Sequence, residues 1–309
     1  MYSKEVLDKV KEQILKETEK MRLANKTVPV SGERIDIPCK NRKVNIVYYR
    51  CGKKNAPLVL GFHGGGFLFG GNALNDAMWK SVSEELSVNV ASVEYRKSPE
   101  YRYKAALEDA SETAHYMYLH SDEFDFCKDD ISVMGCSAGA CLAATLCIYE
   151  KKYGLDNDGL RFRKQILMYP FLDSYTDPDS KGRGSLGGPI MYIFNEMHCL
   201  PEEARLPEVS PVFATGNELE KMPPAIFCLA ENDSLKHEGY KYANMLKEAG
   251  VDCSVREYAR APHGFFESGF GKISEEEMDF LGDDVKDMIR SGEIAEISRR
   301  ALQFIKEEK

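Results

Sequence analysis

Short runs of apolar and β-branched residues alternate along the chain with longer stretches of helical periodicity. The strand candidates are Val44–Tyr49, Leu58–Phe62, Val88–Tyr95, Ile131–Met134, Gln165–Tyr169, Ala225–Ala230 and Cys253–Tyr258. Several are apolar at consecutive positions, the pattern of parallel strands covered by helices on both faces. Between them, helical periodicity predicts Asp76–Leu86, Lys104–His120, Ala138–Lys152 and Leu235–Ala249, the last followed by a stop signal at Gly250. Strand–helix alternation of this kind predicts a doubly wound α/β sheet.

Two stretches break the alternation. Residues Met1 to Met21 carry Val6, Val10 and Ile14 on one helical face among Lys and Glu, with no strand before them. Asp173–Met222 is rich in Gly, Pro and polar residues around a short apolar segment at Ile190–Phe194. A loop that long inside a compact domain is usually a lid or binding element. The expectation is a single domain over residues 1–309, with a cap formed by about 1–25 and about 173–222. After His263, charged helical patterns at Ser274–Arg290 and Gly292–Glu308 close the chain.

Composition narrows the partners. With 309 residues, 43% hydrophobic and 29% charged, the chain is globular in type. Its 41 basic and 50 acidic side chains leave a net charge of −9, which argues against nucleic acid and anionic lipid. No apolar run approaches the roughly 18 residues that cross a bilayer. The N-terminal segment lacks a secretory apolar core, and its mixed charges favour packing on the protein over lying on a membrane. Nine scattered cysteines without a Cys-x-x-Cys pair suggest neither a disulfide scaffold, a zinc site nor a redox centre. The expectation is a cytoplasmic protein; the sequence sets no oligomeric state.

The chemistry concentrates at Gly135-Cys-Ser137-Ala-Gly139, between a β-branched strand and a helix. A serine on a strand-to-helix turn is held in a strained conformation, and glycines two residues either side permit the close backbone approach. The helix N-terminus adds an electropositive end. Upstream, Leu58–Phe62 runs into His63-Gly-Gly-Gly66-Phe67, where consecutive glycines expose N–H groups suited to a developing oxyanion. A phosphate loop fits poorly, since no Walker lysine or Gly-x-Gly-x-x-Gly is present. Among the histidines, His115, His120, His198 and His237 read as surface residues, and His63 belongs to the glycine loop. His263 follows the last strand candidate, where α/β sheets host active sites. Asp233, just past another strand, can meet it, although alone it reads as a helix N-cap. Cys136 reads as a buried structural thiol rather than a rival nucleophile.

The chain resembles the α/β-hydrolase superfamily and, within it, the hormone-sensitive-lipase-like carboxylesterases. The matching residues are His63-Gly-Gly-Gly-Phe-Leu-Phe-Gly70, Val93-Glu-Tyr-Arg-Lys-Ser-Pro-Glu100, Ala105-Ala-Leu-Glu-Asp109, Gly135-Cys-Ser-Ala-Gly139, Asp233-Ser-Leu235 and Pro262-His-Gly-Phe265. The resemblance implies an α/β-hydrolase fold, a mostly parallel central sheet of about eight strands flanked by helices, with a helical cap. It implies Ser137 as nucleophile, His263 as base, Asp233 as orienting acid, and an oxyanion hole of the Gly65, Gly66 and Ala138 N–H groups. His63 would anchor its loop. Departures are Cys136 where the family usually has Asp, Ala140 for Gly, Lys104 and Ser234 for Pro, and His237 for an acid.

The activity so implied is hydrolysis of a small-molecule ester, with short acyl or acetyl groups, needing no metal or organic cofactor. The cap residues Tyr175, Met191, Tyr192 and Phe194 are candidate pocket linings. A serine peptidase or amidase on the same fold, or a non-enzymatic ligand-binding protein, are the alternatives.

Overall fold

The strands pair into one sheet in the order β1-β2-β4-β3-β5-β6-β7-β8 in a computed structural model describing residues 2–154, 159–182, 184–271 and 281–308. Here β1 is Glu33–Cys39, β2 Arg42–Tyr49, β3 Ala56–Phe62, β4 Asn89–Val93, β5 Phe126–Cys136, β6 Phe162–Met168, β7 Ala225–Asn232 and β8 Cys253–Pro262. β2 runs antiparallel to both β1 and β4; every other neighbouring pair is parallel. β1 is absent from the sequence reading. Its apolar Ile35 and Ile37 are interleaved with charges and followed by Pro38, a residue tolerated only where a strand needs no donor, as at this sheet edge.

Successive side chains of the central strands enter two separate cores. Leu58, Leu60 and Phe62 of β3 and Val133 of β5 face one core, while Val59 and Met134 face the other. The helices α3 (Tyr103–Leu119), α5 (Ala138–Tyr153) and α8 (Lys236–Glu248) supply the first core; α2 (Asp76–Leu86) supplies the second. Two short helices, α4 (Ser121–Phe124) and α7 (Gly216–Leu219), lie in connections. α5 presents Ala138, Ala140, Ala143 and Ala144 to the interior, so a strong helix former lies flat against the sheet. Beyond α9 (Phe265–Ser268), the chain ends in α10 (Asp283–Arg290) and α11 (Glu293–Glu307), which pack on the second core through Met288, Ile294, Ile297 and Ala301. The expected helical pattern at 274–290 therefore lies partly outside the described residues, since 272–280 are not described.

The two irregular stretches are more structured than their composition suggests. α1 spans Lys4–Thr27, ending six residues beyond the predicted Met1 to Met21 segment. Its buried positions are Ile14, Thr18 and Asn25, whereas Val6 is exposed. The extra turns are held by polar contacts: the Asn25 amide donates to Glu94 Oε2 (2.9 Å) and Asn72 Oδ1 (3.2 Å), and its oxygen accepts the Ala73 N–H (2.9 Å). Within 173–222, Ile190–Phe194 belongs to α6 (Pro189–His198), which starts with Pro at its first position. α6 packs on α1, with Lys11 paired to Glu196 at 2.8 Å. The segment is fastened to α8 by Glu238, whose Oε2 accepts the Leu172 and Asp173 N–H groups (2.6 and 2.9 Å). Its other oxygen meets Lys181 at 2.7 Å. Burial pushes the Glu238 carboxyl up to about 7 against the opposing pull of Lys181.

The Val93–Asp109 residues form a second fastening. Buried Asp109 accepts Arg42 Nε (2.6 Å), the Arg96 N–H (2.7 Å) and Arg96 Nε (3.0 Å), tying α3 to β2 and to the loop after β4. Removing the buried carboxylate takes the shared acceptor from two partly covered guanidinium groups, which keep only Glu112 and Glu108 as acidic partners. Asp109→Ala is expected to lower unfolding free energy by about 3 kcal/mol. Urea denaturation followed by circular dichroism measures it, and a loss below ~1 kcal/mol contradicts the assignment.

Candidate active site

The C-terminal ends of β3, β5, β7 and β8 bring the predicted residues together. Ser137 stands between β5 and α5 at φ 53°, ψ −116°, outside the helical and extended regions. Such strain persists only where packing over-determines it. A side chain at Gly139 would collide with the Phe62 and His63 carbonyls, and one at Gly135 with the Gly139 backbone. The two glycines thus permit backbone-to-backbone contact between the turn and the end of β3. The Ser137 N–H donates to the Met168 carbonyl on β6 (2.9 Å), which fixes the turn from the other side.

His263 follows β8 and Asp233 follows β7. His263 Nε2 lies 2.8 Å from Ser137 Oγ, and its Nδ1 lies 2.7 Å from Asp233 Oδ2. Asp233 is buried, and its second oxygen accepts the Leu235 N–H (3.0 Å) at the start of α8. Asp233 is therefore not the residue capping α8, whose N-cap is Leu235; one of its oxygens holds the turn before the helix and the other the histidine. Burial on its own disfavours the His263 imidazolium, but the charge and hydrogen bond of Asp233 outweigh it and the net shift is upward. The His263 N–H donates to Ser185 Oγ (2.6 Å), a contact from the 173–222 segment that no sequence pattern signals.

The glycine loop leaves β3 beside the turn. Gly65 and Gly66 have φ of +114° and +60°, and a Cβ at either would collide with the Phe69 backbone or the Phe194 ring. The Leu68 and Phe69 N–H groups both donate to the Gly65 carbonyl, which coils the loop (3.0 and 2.8 Å). Ala138 is the first residue of α5, where helix geometry leaves the N–H without an intrahelical partner. His63 is fully buried: Tyr95 stacks on it at 4.4 Å and donates to its carbonyl (2.8 Å), while its Nδ1 is 2.7 Å from the Gly64 carbonyl. Burial, with nearby Lys97, pushes its pKa down to about 3, so the ring is neutral.

Two histidines read as surface residues are buried. His198 stacks flat on Phe67 of the glycine loop at 3.6 Å, and burial and Arg102 push its pKa to about 3. His115 pairs with Glu150 at 2.8 Å. Both lie on helices whose buried face is wide, which makes a lone His indistinguishable from an exposed one in sequence. His237 is exposed and His120 is half-buried on Tyr116. The Cys136 thiol is fully buried, and burial followed by the Glu267 charge pushes it well above the ordinary range, so it stays protonated.

Of the candidate lining residues, Phe194 brings the tip of its ring against Gly66 and lies edge-on to Phe69 at 5.9 Å. Met191 is buried. Tyr192 binds Asp177 (2.5 Å) and meets Tyr2 edge-on, whereas Tyr175 is exposed on Phe213. Sequence reading misses Glu267, Tyr169 and Asn75 beside the loop. The Glu267 carboxylate accepts from Gly64 N–H (3.1 Å) and Asn75 (2.9 Å), and its only signal is a spacing of four residues from His263. Among the described residues, no group of three or more metal-ligating side chains is gathered, and no helix is long and apolar enough to cross a membrane.

A family model described as alpha/beta hydrolase fold matches residues 59–267, more than half of the chain. The chain is 29% identical over 269 residues to an arylesterase of Saccharolobus solfataricus, covering 81% of this chain and 83% of that protein. It is 28% identical over 253 residues to the carboxylic ester hydrolase LipN of Mycobacterium tuberculosis, covering 78% of this chain and 66% of LipN, slightly under two thirds. An esterase structure from Pyrobaculum calidifontis superposes with a TM-score of 0.72 at 28% identity, covering 96% of this chain and 94% of that one. On the matched span and the superposition, the chain belongs to the α/β-hydrolase superfamily and, within it, to the hormone-sensitive-lipase-like carboxylesterase family.

Proposed function

We propose that this protein is a serine carboxylic-ester hydrolase acting on short-chain acyl or acetyl esters through an acyl-enzyme. The observation that carries the reading is the continuous chain from Ser137 Oγ through His263 to the buried Asp233 carboxylate. Relatives named as ester hydrolases support it at the level of reaction class.

The geometry suits each step. His263 Nε2 takes the proton as Ser137 Oγ attacks the ester carbonyl carbon, and the imidazolium is stabilised by Asp233. The carbonyl oxygen gains the negative charge, and the N–H groups of Gly65, Gly66 and Ala138 are the donors available to it. One such donor contributes about 3 kcal/mol in sites of this type. Collapse of the intermediate expels the alcohol, which takes its proton from His263. Water, deprotonated by the same imidazole, then attacks the acyl-enzyme and returns free Ser137 and a carboxylic acid.

The cap is part of the proposal: α1 and the 173–222 segment cover the site and shape its pockets. Supporting contacts are Phe194 on Gly66, Ser185 on the His263 backbone, and Tyr2 against Tyr192. Ser137 is only 6% exposed, in keeping with a covered site.

Two outcomes are expected. Ser137→Ala abolishes hydrolysis of a short p-nitrophenyl ester while the circular dichroism spectrum is unchanged, and an organophosphate labels Ser137 alone. Retained turnover, or label on Cys136, contradicts the mechanism. Because the reaction needs neutral His263, kcat/KM should fall with decreasing pH through a midpoint above about 6.5. Asp233→Asn removes what raises the imidazole, so that midpoint should move to lower pH while the plateau drops about 10³–10⁴-fold. A midpoint unmoved by Asp233→Asn contradicts the role given to Asp233.

A further inference from the structure

Glu267 lies in α9, one helical turn after His263, and its carboxylate meets three other elements. Oε1 accepts the Gly64 N–H (3.1 Å) and the Asn75 side-chain amide (2.9 Å). Gly64 immediately precedes Gly65 and Gly66, and Asn75 is the residue before α2. On the other side, the Tyr169 hydroxyl is 3.4 Å from Oε2 and accepts the Glu267 N–H at 3.3 Å. The Tyr169 ring in turn lies edge-on to His263, with centroids 5.0 Å apart. The fit is close: a Cβ at Gly64 would stand 2.9 Å from Oε2 and 3.2 Å from the Cys136 carbonyl oxygen.

The Gly64 amide has a specific mechanical position. Its N–H is held by Glu267, its carbonyl is 2.7 Å from His63 Nδ1, and the next two residues adopt positive φ. The N–H and the carbonyl of Gly64 belong to successive peptide planes, so the two contacts together fix the plane before Gly64 and the one that carries the Gly65 N–H. The residue before the nucleophile, Cys136, is a buried, protonated thiol and brings no anionic acceptor to the loop. The side-chain acceptor in contact with this loop is therefore the Glu267 carboxyl reaching in from α9, whose pKa is raised by burial against the opposing pull of the Gly64 N–H.

We propose that Glu267 is a positioning residue for the oxyanion donors: by gripping Gly64 it sets the orientation of the Gly65 and Gly66 N–H groups relative to Ser137. The inference rests on the esterase reading and deepens it. Oxyanion donors act on the charge that develops in the tetrahedral state, more than on the bound ester. A displaced loop thus lowers kcat and leaves KM nearly constant. A carboxylate that only supports the fold has no reason to separate the two constants.

The test compares wild type, Glu267→Ala and Glu267→Gln on p-nitrophenyl butyrate, with fluorophosphonate labelling to count competent Ser137 sites and thermal melts in parallel. The Gln side chain keeps an oxygen acceptor for Gly64 and Asn75, so it provides a folded, conservative control. Expected is an approximately 100-fold fall in kcat per labelled site for Glu267→Ala with KM within about threefold. Glu267→Gln should remain within about fivefold of wild-type kcat. The positioning role is overturned if Glu267→Ala keeps kcat within about twofold, if KM rises in step with the loss, or if Gln is as impaired as Ala. Wild-type enzyme that is not labelled at Ser137 overturns the esterase reading itself, a result that the variant comparison cannot mimic.

Discussion

The close backbone contact between the Ser137 turn and the end of β3 is the constraint on which the site depends. Only glycine at 139 lets α5 begin against the Phe62 and His63 carbonyls. That contact forces Ser137 into a conformation most residues avoid and lifts its hydroxyl clear of the sheet. It also brings the segment after β3, which carries the Gly65 and Gly66 N–H groups, beside the first N–H of α5. One steric event therefore assembles a candidate nucleophile and its candidate oxyanion donors. The strands on either side hold the strain: β3 and β6 flank β5, and the Met168 carbonyl accepts the serine N–H.

The electrostatics follow from where the remaining groups enter. β7 and β8 are neighbours, so the loops after them deliver Asp233 and His263 to the same end of the sheet. Asp233 satisfies two obligations at once, a helix-start N–H on one oxygen and the imidazole on the other. The other enclosed histidines nearby, His63 and His198, are driven to the neutral state by burial and serve as flat packing surfaces for Tyr95 and Phe67. The imidazole held against a carboxylate is thus distinguished from those held against aromatic rings by a pKa that moves in the opposite direction.

What the sequence disclosed was local and what it hid was long-range. Gly135–Gly139 declares its turn because glycine is demanded at fixed offsets, and the central strands declare themselves by being apolar on both faces. Residues Asp233 and His263 are legible through their places after strands. β1 is obscured because an edge strand can carry charges and Pro38. The end of α1 is invisible to apolar periodicity because Asn25 is held by Glu94, Asn72 and Ala73, which are distant in sequence. The 173–222 stretch reads as loop because α6 is only ten residues long, yet it folds against α1. Buried His115 and His198 depend on Glu150 and Phe67, partners that no local pattern specifies. Glu267 is hidden for the same reason, since its value lies in Gly64, Asn75 and Tyr169.

The proposed mechanism requires that Ser137 carry the acyl group midway through the reaction. Acid quenching during turnover of a p-nitrophenyl ester, followed by peptide mass spectrometry, observes that intermediate directly. One acylated peptide is expected, containing residues 135–139, with the acyl group on Ser137. Acylation of Cys136, or continued turnover with no acylated serine at any quench time, would contradict it.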